Sequence, residues 1–360
     1  MALWELDEFQ GPKFLGYVRA VPEPEAFSGT DYLPNKTVDD LDFDYIKGVR
    51  NKPVMAHVMG FDSEAPIAGR PALGERVQGE LPPIKRKARF SEKELIRFLS
   101  PRAGSLDKQR AIDSVYNVTD NLLAGIQARV EWLRLKALSE QTVIYDEGGV
   151  IFAFDYGLNK KFLISLPSQN NAAGDNIAAL LGPVWSDTAN STPLADLLYL
   201  TNLGNDTTGI RWTEFVCSRK AVGYLQQSVG LRTLIRGSNS PTAMLTLDEI
   251  KTLFAIYNLP TIKTYDVIVT KENADGTQTD ERPLDESRGF LVPSTPVGNT
   301  LWGPTAESRR LIGTPLQGQA PGIYAVTYAT EEPPAEWVKA AAVSFPTMPD
   351  AHLLAQIDLF

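Results

Sequence analysis

The chain has 360 residues, of which 43% are hydrophobic, and a formal net charge of −9. This length supplies enough apolar side chains for more than one compact lobe, and the negative charge repels a polyanion at long range. One cysteine, Cys217, excludes an intramolecular disulfide, and with only His57 and His352 beside it no soft-ligand metal site can form. We therefore expect no metal and no other cofactor.

Membrane and secretion signals are both missing from the sequence. No stretch of about 18 apolar residues occurs that could span a bilayer. The first residues, MALWELDEFQGPKF, lack the basic segment and the apolar core of a secretion signal. We expect no membrane partner.

The first two segments of the chain are not expected to fold alone. Residues 1–52 carry many aromatic side chains among Pro and Gly without a helical or strand period, which predicts an arm that lies on another surface. Residues 53–95 have the pattern of a two-stranded finger with a Gly- and Pro-rich tip, and PPIKRKARF is its return strand. Two strands bury too little apolar surface to be stable in water, so the finger also needs a surface to lie on.

Residues 105–139 carry the strongest secondary-structure signal. Apolar side chains recur there at spacings of three and four, which predicts one long amphipathic helix with Ser105 as its N-cap. Arg134 is among the polar residues predicted to lie outside the apolar stripe. At 1.5 Å per residue the helix would be about 50 Å long.

Strands and short helices alternate after the long helix. The run TVIYDEGGVIFAFDYG predicts a hairpin, and Thr246 and Glu249 fit a capping box before the helix TLDEIKTLFAIYNL. The run TYDVIVT predicts a strand, and the last twenty residues end in an apolar run that is expected to return as a strand to the first layer. Together these elements predict the α+β class.

No motif typical of an enzyme stands out. The patterns GxxxxGK[ST], GxGxxG, GxSxG and HExxH are all missing. Ser105 and Lys108 match SxxK, but the accompanying SDN and KTG elements are missing, so a helix N-cap is the better interpretation. A carboxylate pair for glycoside hydrolysis cannot be picked out among 44 acidic residues. The chain is therefore predicted not to be an enzyme, and no catalytic residue is proposed.

The basic return strand is the candidate interaction site. A period of two places three like charges on one face: Lys85, Lys87 and Arg89. It places the alternate side chains on the other face: Ile84, Arg86, Ala88 and Phe90. Three interpretations are open, namely a solvated charged face, a nucleic-acid-binding module and a contact with an acidic protein surface. The protein contact is favoured because like charges on one strand face repel each other unless they are compensated.

An acidic segment that could compensate these charges is present in the chain itself. The run VDDLDFD carries four carboxylates: Asp39, Asp40, Asp42 and Asp44. Our hypothesis is that the acidic segment of one subunit meets the basic strand, Lys85 to Arg89, of another.

Three stretches of the sequence resemble the major capsid protein E family of tailed bacteriophages, typified by the lambda head protein. They are PPIKRKARFSEKELIRFLSPRAGS, RVEWLRLKALSEQTVIYDEGGVIFAFDYG and PDAHLLAQIDLF. The resemblance implies the Hong Kong 97-type phage capsid fold. It also implies a division of the chain into an N-arm (1–52), an extended loop (53–95), a peripheral domain (96–175) with its spine helix (105–139), an axial domain (176–338) and a strand that returns to the peripheral domain (339–360).

The resemblance implies a function as well. It predicts a major capsid protein that self-assembles as pentamers and hexamers into the icosahedral shell around a double-stranded DNA genome. Expected partners are other copies of the chain, a separate scaffolding protein, the portal and, as in some relatives, a decoration protein, with only non-specific contacts to packaged DNA. The expected location is the head shell of the virion, after assembly in the host cytoplasm. An encapsulin-like compartment is the alternative that shares the fold.

Overall fold

The computed structural model describes most of the chain in ten segments: residues 11–48, 55, 58, 75–90, 106–147, 150–237, 243–273, 275–310, 322–332 and 334–360. His57, Ser105 and the predicted turn at Gly148-Gly149 lie outside them. The chain divides into two compact units. Unit 1 comprises Met1–Phe43, Gln78–Arg134 and Asn299–Thr347, and unit 2 comprises Asp44–Val77, Leu135–Gly298 and Met348–Phe360.

Unit 1 combines helices with a five-stranded sheet. Its helices are α1 (Gly11–Ala20), α2 (Gly29–Tyr32), the part of α3 (Leu106–Ser139) up to Arg134, and α8 (Ala306–Arg310). Its sheet strands are β1 (Asn35–Thr37), β4 (Pro83–Phe90), β14 (Asn299–Trp302), β15 (Tyr324–Thr330) and β16 (Ala335–Thr347). The long helix predicted over residues 105–139 is confirmed to within one residue.

The longest strand, β16, organises the sheet of unit 1. β4, β14 and β15 all pair with it in antiparallel fashion, and β1 pairs with β14 in parallel. The basic strand β4 pairs over its whole length, from Pro83 opposite Val343 to Phe90 opposite Glu336. In the described part of the chain the basic strand therefore belongs to this sheet. Most of the predicted outgoing strand and tip of the finger lies outside the described residues.

The core of unit 1 lies between α3 and one face of this sheet. The stripe predicted from the spacing of apolar residues is buried, since Val115, Leu122, Ile126 and Val130 are each at most 4% exposed. Sheet residues such as Val338 pack in the same cluster. Because burying one such side chain stabilises a protein by about 1.5–3 kcal/mol, this seam holds helix and sheet together.

Unit 2 is built on a six-stranded sheet. Its strand order is β10 (Thr261–Thr264), β9 (Trp212–Cys217), β13 (Arg288–Pro293), β17 (Ala355–Asp358), β7 (Leu163–Ser165) and β8 (Asn170–Asn171). Its helices after residue 190 are α4 (Pro193–Thr208), α5 (Arg219–Gln227), α6 (Val229–Arg236) and α7 (Leu247–Ile256). Fully buried side chains such as Phe215 and Leu291 form its core with the helices.

Three further strand pairs complete the described fold. They are β2 (Asp42–Ile46) with β3 (Arg76–Glu80), β5 (Thr142–Glu147) with β6 (Val150–Asp155), and β11 (Val269–Glu272) with β12 (Gln278–Glu281). The pairing of β5 with β6 is antiparallel, which confirms the hairpin predicted from TVIYDEGGVIFAFDYG.

The compact units differ from the domain boundaries that the resemblance implied. Residues 299–338, expected in the axial domain, lie in unit 1 because β14 and β15 pair with β16. The peripheral segment 96–175 is divided near Arg134. The return segment 339–360 contains two strands, since β16 lies in unit 1 whereas β17 lies between β13 and β7 in unit 2.

The strand predicted from TYDVIVT is interrupted. β10 ends at Thr264 and β11 begins at Val269, so the prediction was wrong for the residues between them. Tyr265, which follows β10, is 4% exposed, and its backbone N–H donates to the carbonyl of Cys217. The regular pairing of β10 with β9 therefore stops at this buried tyrosine.

The predicted capping box is present at the start of α7. Thr246 Oγ1 accepts a hydrogen bond from the backbone N–H of Glu249 (3.3 Å), and Glu249 Oε2 accepts one from the N–H of Thr246 (2.7 Å). We expect Thr246→Ala to lower the free energy of unfolding of unit 2 by about 1 kcal/mol, measured by chemical denaturation. Thr252→Ala on the exposed side of the same helix is the control, and equal effects of the two changes would contradict the prediction.

Candidate functional site

β4 presents the row of charges that the sequence predicted. Lys85, Lys87 and Arg89 are exposed on one face, whereas Phe90 is 5% exposed on the other. Arg86 lies on the helix side of the strand, where its guanidinium occupies the space that a Cβ at Gly125 of α3 would need. The strand thus has the two faces inferred from the sequence, although Arg86 on the helix side is exposed as well.

Neighbouring strands add aromatic side chains to the same face. The register places Trp337 opposite Arg89, and Tyr328 opposite Trp337. The rings of Tyr328 and Trp337 are stacked, with centroids 6.3 Å apart and planes at 7°. Lys87 Nζ lies 4.6 Å and Arg89 Cζ 5.8 Å from the centroid of the Trp337 ring, distances at which a cation is attracted to the ring face. We call this surface the cationic face, comprising Lys85, Lys87, Arg89, Tyr328, Trp337 and Lys339.

One carboxylate compensates part of the charge of the cationic face. Lys339, opposite Lys87 in the register, pairs with Glu307 of α8 at 2.5 Å. Burial acts to raise the pKa of Glu307, but the hydrogen bond from Lys339 and the charges of Lys339 and Lys85 outweigh it, and the pKa is lowered. Lys85, Lys87 and Arg89 form no ion pair with any other described residue, although the charge of Lys85 also acts on Glu307.

The acidic segment is exposed as well, and part of it is already engaged within the chain. Asp44 pairs with Arg76, and Asp40 Oδ1 accepts a hydrogen bond from the N–H of Leu41 (2.8 Å). Asp39 and Asp42 are exposed. Within the described chain no ion pair joins this segment to the basic strand, so the hypothesis that the two segments meet between subunits stays a prediction.

Sequence reasoning missed a buried ionic cluster around Arg134, which was predicted to lie outside the apolar stripe. Arg134 is 1% exposed, and its guanidinium contacts four groups. They are Asn35 Oδ1 (2.5 Å), Thr300 Oγ1 (2.9 Å), Glu23 Oε2 (3.3 Å) and Glu131 Oε2 (3.4 Å). The prediction failed because residues far away in the chain cover this side of α3. The one local signal was a Glu131–Arg134 pair at helical spacing within the apolar run VEWLRLKAL.

The cluster fixes the segment before β1 on the helix. The backbone N–H of Gly29 donates to Glu131 Oε1 (2.9 Å), and Glu131 is fully buried. Burial acts to raise the pKa of Glu23, but the Arg134 guanidinium and hydrogen bonds from Thr30, Arg134 and Asn35 lower it overall. Glu23 is therefore held in its charged form. The cluster ties α2 and its flanking residues to α3 and β14.

Unit 2 contains an open cleft of about 420 Å³ between the end of α3 and the six-stranded sheet. Arg288 Nη1 donates to the carbonyl of Ser139 (3.2 Å) and Gln356 Nε2 to that of Leu138 (3.0 Å), so both side chains cap the C-terminus of α3. Burial raises the pKa of Asp358, and the charge of Arg288 partly offsets this effect. The hydroxyl of Ser165 donates to Asp358 Oδ2 at the wall of the cleft (3.4 Å). The polar groups that cap α3 thus support the fold.

The described residues form neither a cluster of metal ligands nor a membrane-spanning helix. In the described segments, no three His, Cys, Asp or Glu side chains lie close enough together to hold a metal ion. Cys217 is fully buried in the core of unit 2, and its pKa is raised by burial to about 12. None of the described helices is long and apolar enough to cross a bilayer.

Comparisons with known proteins connect this geometry to a class of protein. The structure is similar to a protein assigned as a prophage capsid protein of Escherichia coli CFT073, with a TM-score of 0.62 and 16% identity over 100% of both chains. It is also similar to a phage-related protein of Bordetella bronchiseptica RB50, with a TM-score of 0.52 and 13% identity over 97% of this chain and 96% of that one. An encapsulin from Synechococcus elongatus PCC 7942 gives a TM-score of 0.41 at 11% identity, and the match covers 94% of this chain and 90% of that one. No curated protein sequence matches the chain.

The fold is thus the Hong Kong 97-type phage capsid fold. The sequence pattern of the phage major capsid protein E family matches residues 14–357, which is nearly the whole chain. The chain belongs to this family and is a phage major capsid protein, as the resemblance implied. Membership in a structural family of the virion implies self-association and a role other than catalysis.

Proposed function

We propose that this subunit assembles as pentamers and hexamers into the icosahedral head that encloses the double-stranded DNA of a tailed phage, and that it catalyses no reaction. The family match over residues 14–357 is the observation that supports this proposal. A closed shell requires heterologous contacts that close by rotation into rings. Individual contacts of about 1,000–2,000 Å² are sufficient, because every subunit makes several of them at once.

One of these contacts, in our proposal, is made by the cationic face. Lys85, Lys87 and Arg89 are exposed and form no ion pair with another residue of the described segments, which supports a partner that supplies carboxylates. The acidic segment of the neighbouring subunit supplies them through its exposed carboxylates: Asp39, Asp40, Asp42 and Asp44. Asp44 contributes least, because Arg76 of its own chain already pairs with it. Arg86 faces α3 and positions the strand.

Further partners follow from the proposed role. A shell of this kind needs a separate scaffolding protein and a portal, accepts a decoration protein in some relatives, and is assembled in the host cytoplasm before it becomes the head of the virion. Packaged DNA contacts the shell only non-specifically, and the net charge of −9 supports weak adhesion of DNA to the subunits.

Nucleic-acid binding is a second candidate, and one observation favours it. Tyr328 and Trp337 lie beside Lys87 and Arg89, and aromatic rings next to cations are the combination that binds single strands. In that case purified subunits would bind single-stranded DNA with an affinity that falls steeply with salt. An encapsulin-like compartment would instead contain a cargo enzyme in purified shells.

The first test is the assembly state of the purified protein, expressed alone and together with the other head proteins of its phage. Size-exclusion chromatography with light scattering and negative-stain microscopy would measure mass and shape. We expect closed shells, or rings of five and six subunits. A monomer under all of these conditions would overturn the proposed function.

A further inference from the structure

The hairpin of β5 and β6 exposes apolar side chains on one of its faces. One side is packed, with Val143 buried and the rings of Tyr145 and Phe152 stacked at 5.2 Å. On the other side Ile144 is 64% and Ile151 74% exposed. A two-stranded sheet with such a surface is stabilised when another surface covers it.

This outer surface, which we call the hairpin face, is acidic at both ends. The register places Ile144 opposite Ala153, Asp146 opposite Ile151, and Thr142 opposite Asp155. The apolar centre is therefore flanked by Asp146 towards the turn and by Asp155 at the base. The sequence has no Lys or Arg between residues 136 and 160, so no cation of the hairpin compensates these carboxylates.

The charges of the hairpin face indicate what kind of surface covers it. Two hairpin faces stacked on each other would bring four carboxylates and no cation into one contact, which costs desolvation free energy without any ion pairing. The fitting partner has an apolar centre flanked by cations. The cationic face has this arrangement, because the stacked rings of Tyr328 and Trp337 lie beside Lys87 and Arg89.

We propose that the hairpin face of one copy of the chain covers the Tyr328–Trp337 pair on a neighbouring copy, with Asp146 and Asp155 next to Lys87 and Arg89. This inference rests on the proposed function, which surrounds every subunit with copies of itself. It is compatible with the contact proposed for the acidic segment, because the cationic face extends over three strands, β4, β16 and β15. With strands about 4.8 Å apart, the acidic segment can lie along β4 while the hairpin covers β16 and β15.

Cysteine cross-linking in assembled shells tests this contact. Ala153 is exposed on the hairpin face, and Val326, opposite Lys339, lies next to the aromatic pair. In shells of the double variant Ala153→Cys/Val326→Cys, a short thiol-to-thiol cross-linker should give at least tenfold more covalent oligomer than in shells of either single variant. The native Cys217 is fully buried and does not compete.

A matched pair serves as the control for cross-linking. Ala255 on α7 is also exposed, so Ala153→Cys/Ala255→Cys has the same chemistry at a site outside the proposed contact. Shells that form normally but cross-link no better through Val326 than through Ala255 would overturn the inference and leave the proposed function intact. Failure of the native chain to form shells would instead contradict the proposed function itself.

A second pair of variants tests the apolar centre. Ile151→Ser removes a 74% exposed side chain from the hairpin face, and Ile256→Ser removes a 70% exposed one from α7. Both subunits should fold, because neither side chain belongs to a core. We expect Ile151→Ser to reduce the yield of shells severalfold while Ile256→Ser does not, and equal yields would contradict the inference.

Discussion

Replacing Arg134 by alanine is expected to destabilise unit 1 by about 3–5 kcal/mol, the cost of leaving one partner of a buried ion pair without the other. Arg134 is 1% exposed and Glu131 is fully buried, so water cannot take over the role of the guanidinium. The change also removes the donor for Thr300 Oγ1 and one of the two donors for Asn35 Oδ1, which weakens the attachment of β1 to α3. Urea denaturation of the isolated subunit would measure the loss.

A compensating double variant separates the ion pair from simple loss of volume. Arg134→Met/Glu131→Gln removes both charges, and the amide oxygen of the glutamine still accepts from the N–H of Gly29. We expect the double variant to be clearly more stable than Arg134→Ala. Arg129→Ala, on the same helix but only half-buried, is the control. If Arg134→Ala lowered the free energy of unfolding no more than Arg129→Ala does, the stabilising role of the ionic cluster would be contradicted.

Reversing the row of charges on β4 is expected to abolish shell formation and to leave the subunit folded. The variant combines Lys85→Glu, Lys87→Glu and Arg89→Glu. All three side chains are exposed, so folding loses little beyond two cation–π contacts of about 0.5–1 kcal/mol each. At the proposed contact the same change turns attraction into repulsion, which costs several kcal/mol at each junction of the shell. Sedimentation of the expressed protein would measure the fraction in shells.

Two comparisons make this experiment specific. Lys160→Glu, Lys161→Glu and Arg219→Glu change the net charge by the same amount at exposed sites outside the cationic face, and we expect shells from this variant. Adding Asp39→Lys, Asp40→Lys and Asp42→Lys to the reversed row should restore part of the assembly, because the two segments exchange their charges while the carboxylates of the hairpin face still meet the reversed row. Normal shells from the reversed row alone would refute the proposed contact.

Local patterns were sufficient to predict several elements of this fold. The spacing of apolar residues predicted α3, and the Thr246–Glu249 pair predicted the start of α7. Alternation predicted the exposed row on β4 but not the exposure of Arg86 on its other face. Each of these features depends on residues within a few positions of each other. The pairing of β4 with β16 could not be predicted in this way, because about 250 residues separate the two strands and no local period encodes their register.

The same limit explains which parts of the site were missed. Arg134 is buried by groups from distant parts of the chain, with Glu23 lying 111 residues before it and Thr300 lying 166 residues after it. Trp337 and Tyr328 join the cationic face only through the register of β16 with β4 and β15. A sequence pattern thus located the charges of the site, and long-range pairing determined their aromatic neighbours.

We have proposed that the cationic face is a contact between subunits in a closed shell. An electron cryomicroscopy reconstruction of the particles formed by the native chain tests it most directly. We expect an icosahedral shell in which a neighbouring copy covers Lys85, Lys87 and Arg89 of every subunit with carboxylates. A closed shell in which these three side chains face solvent would contradict it.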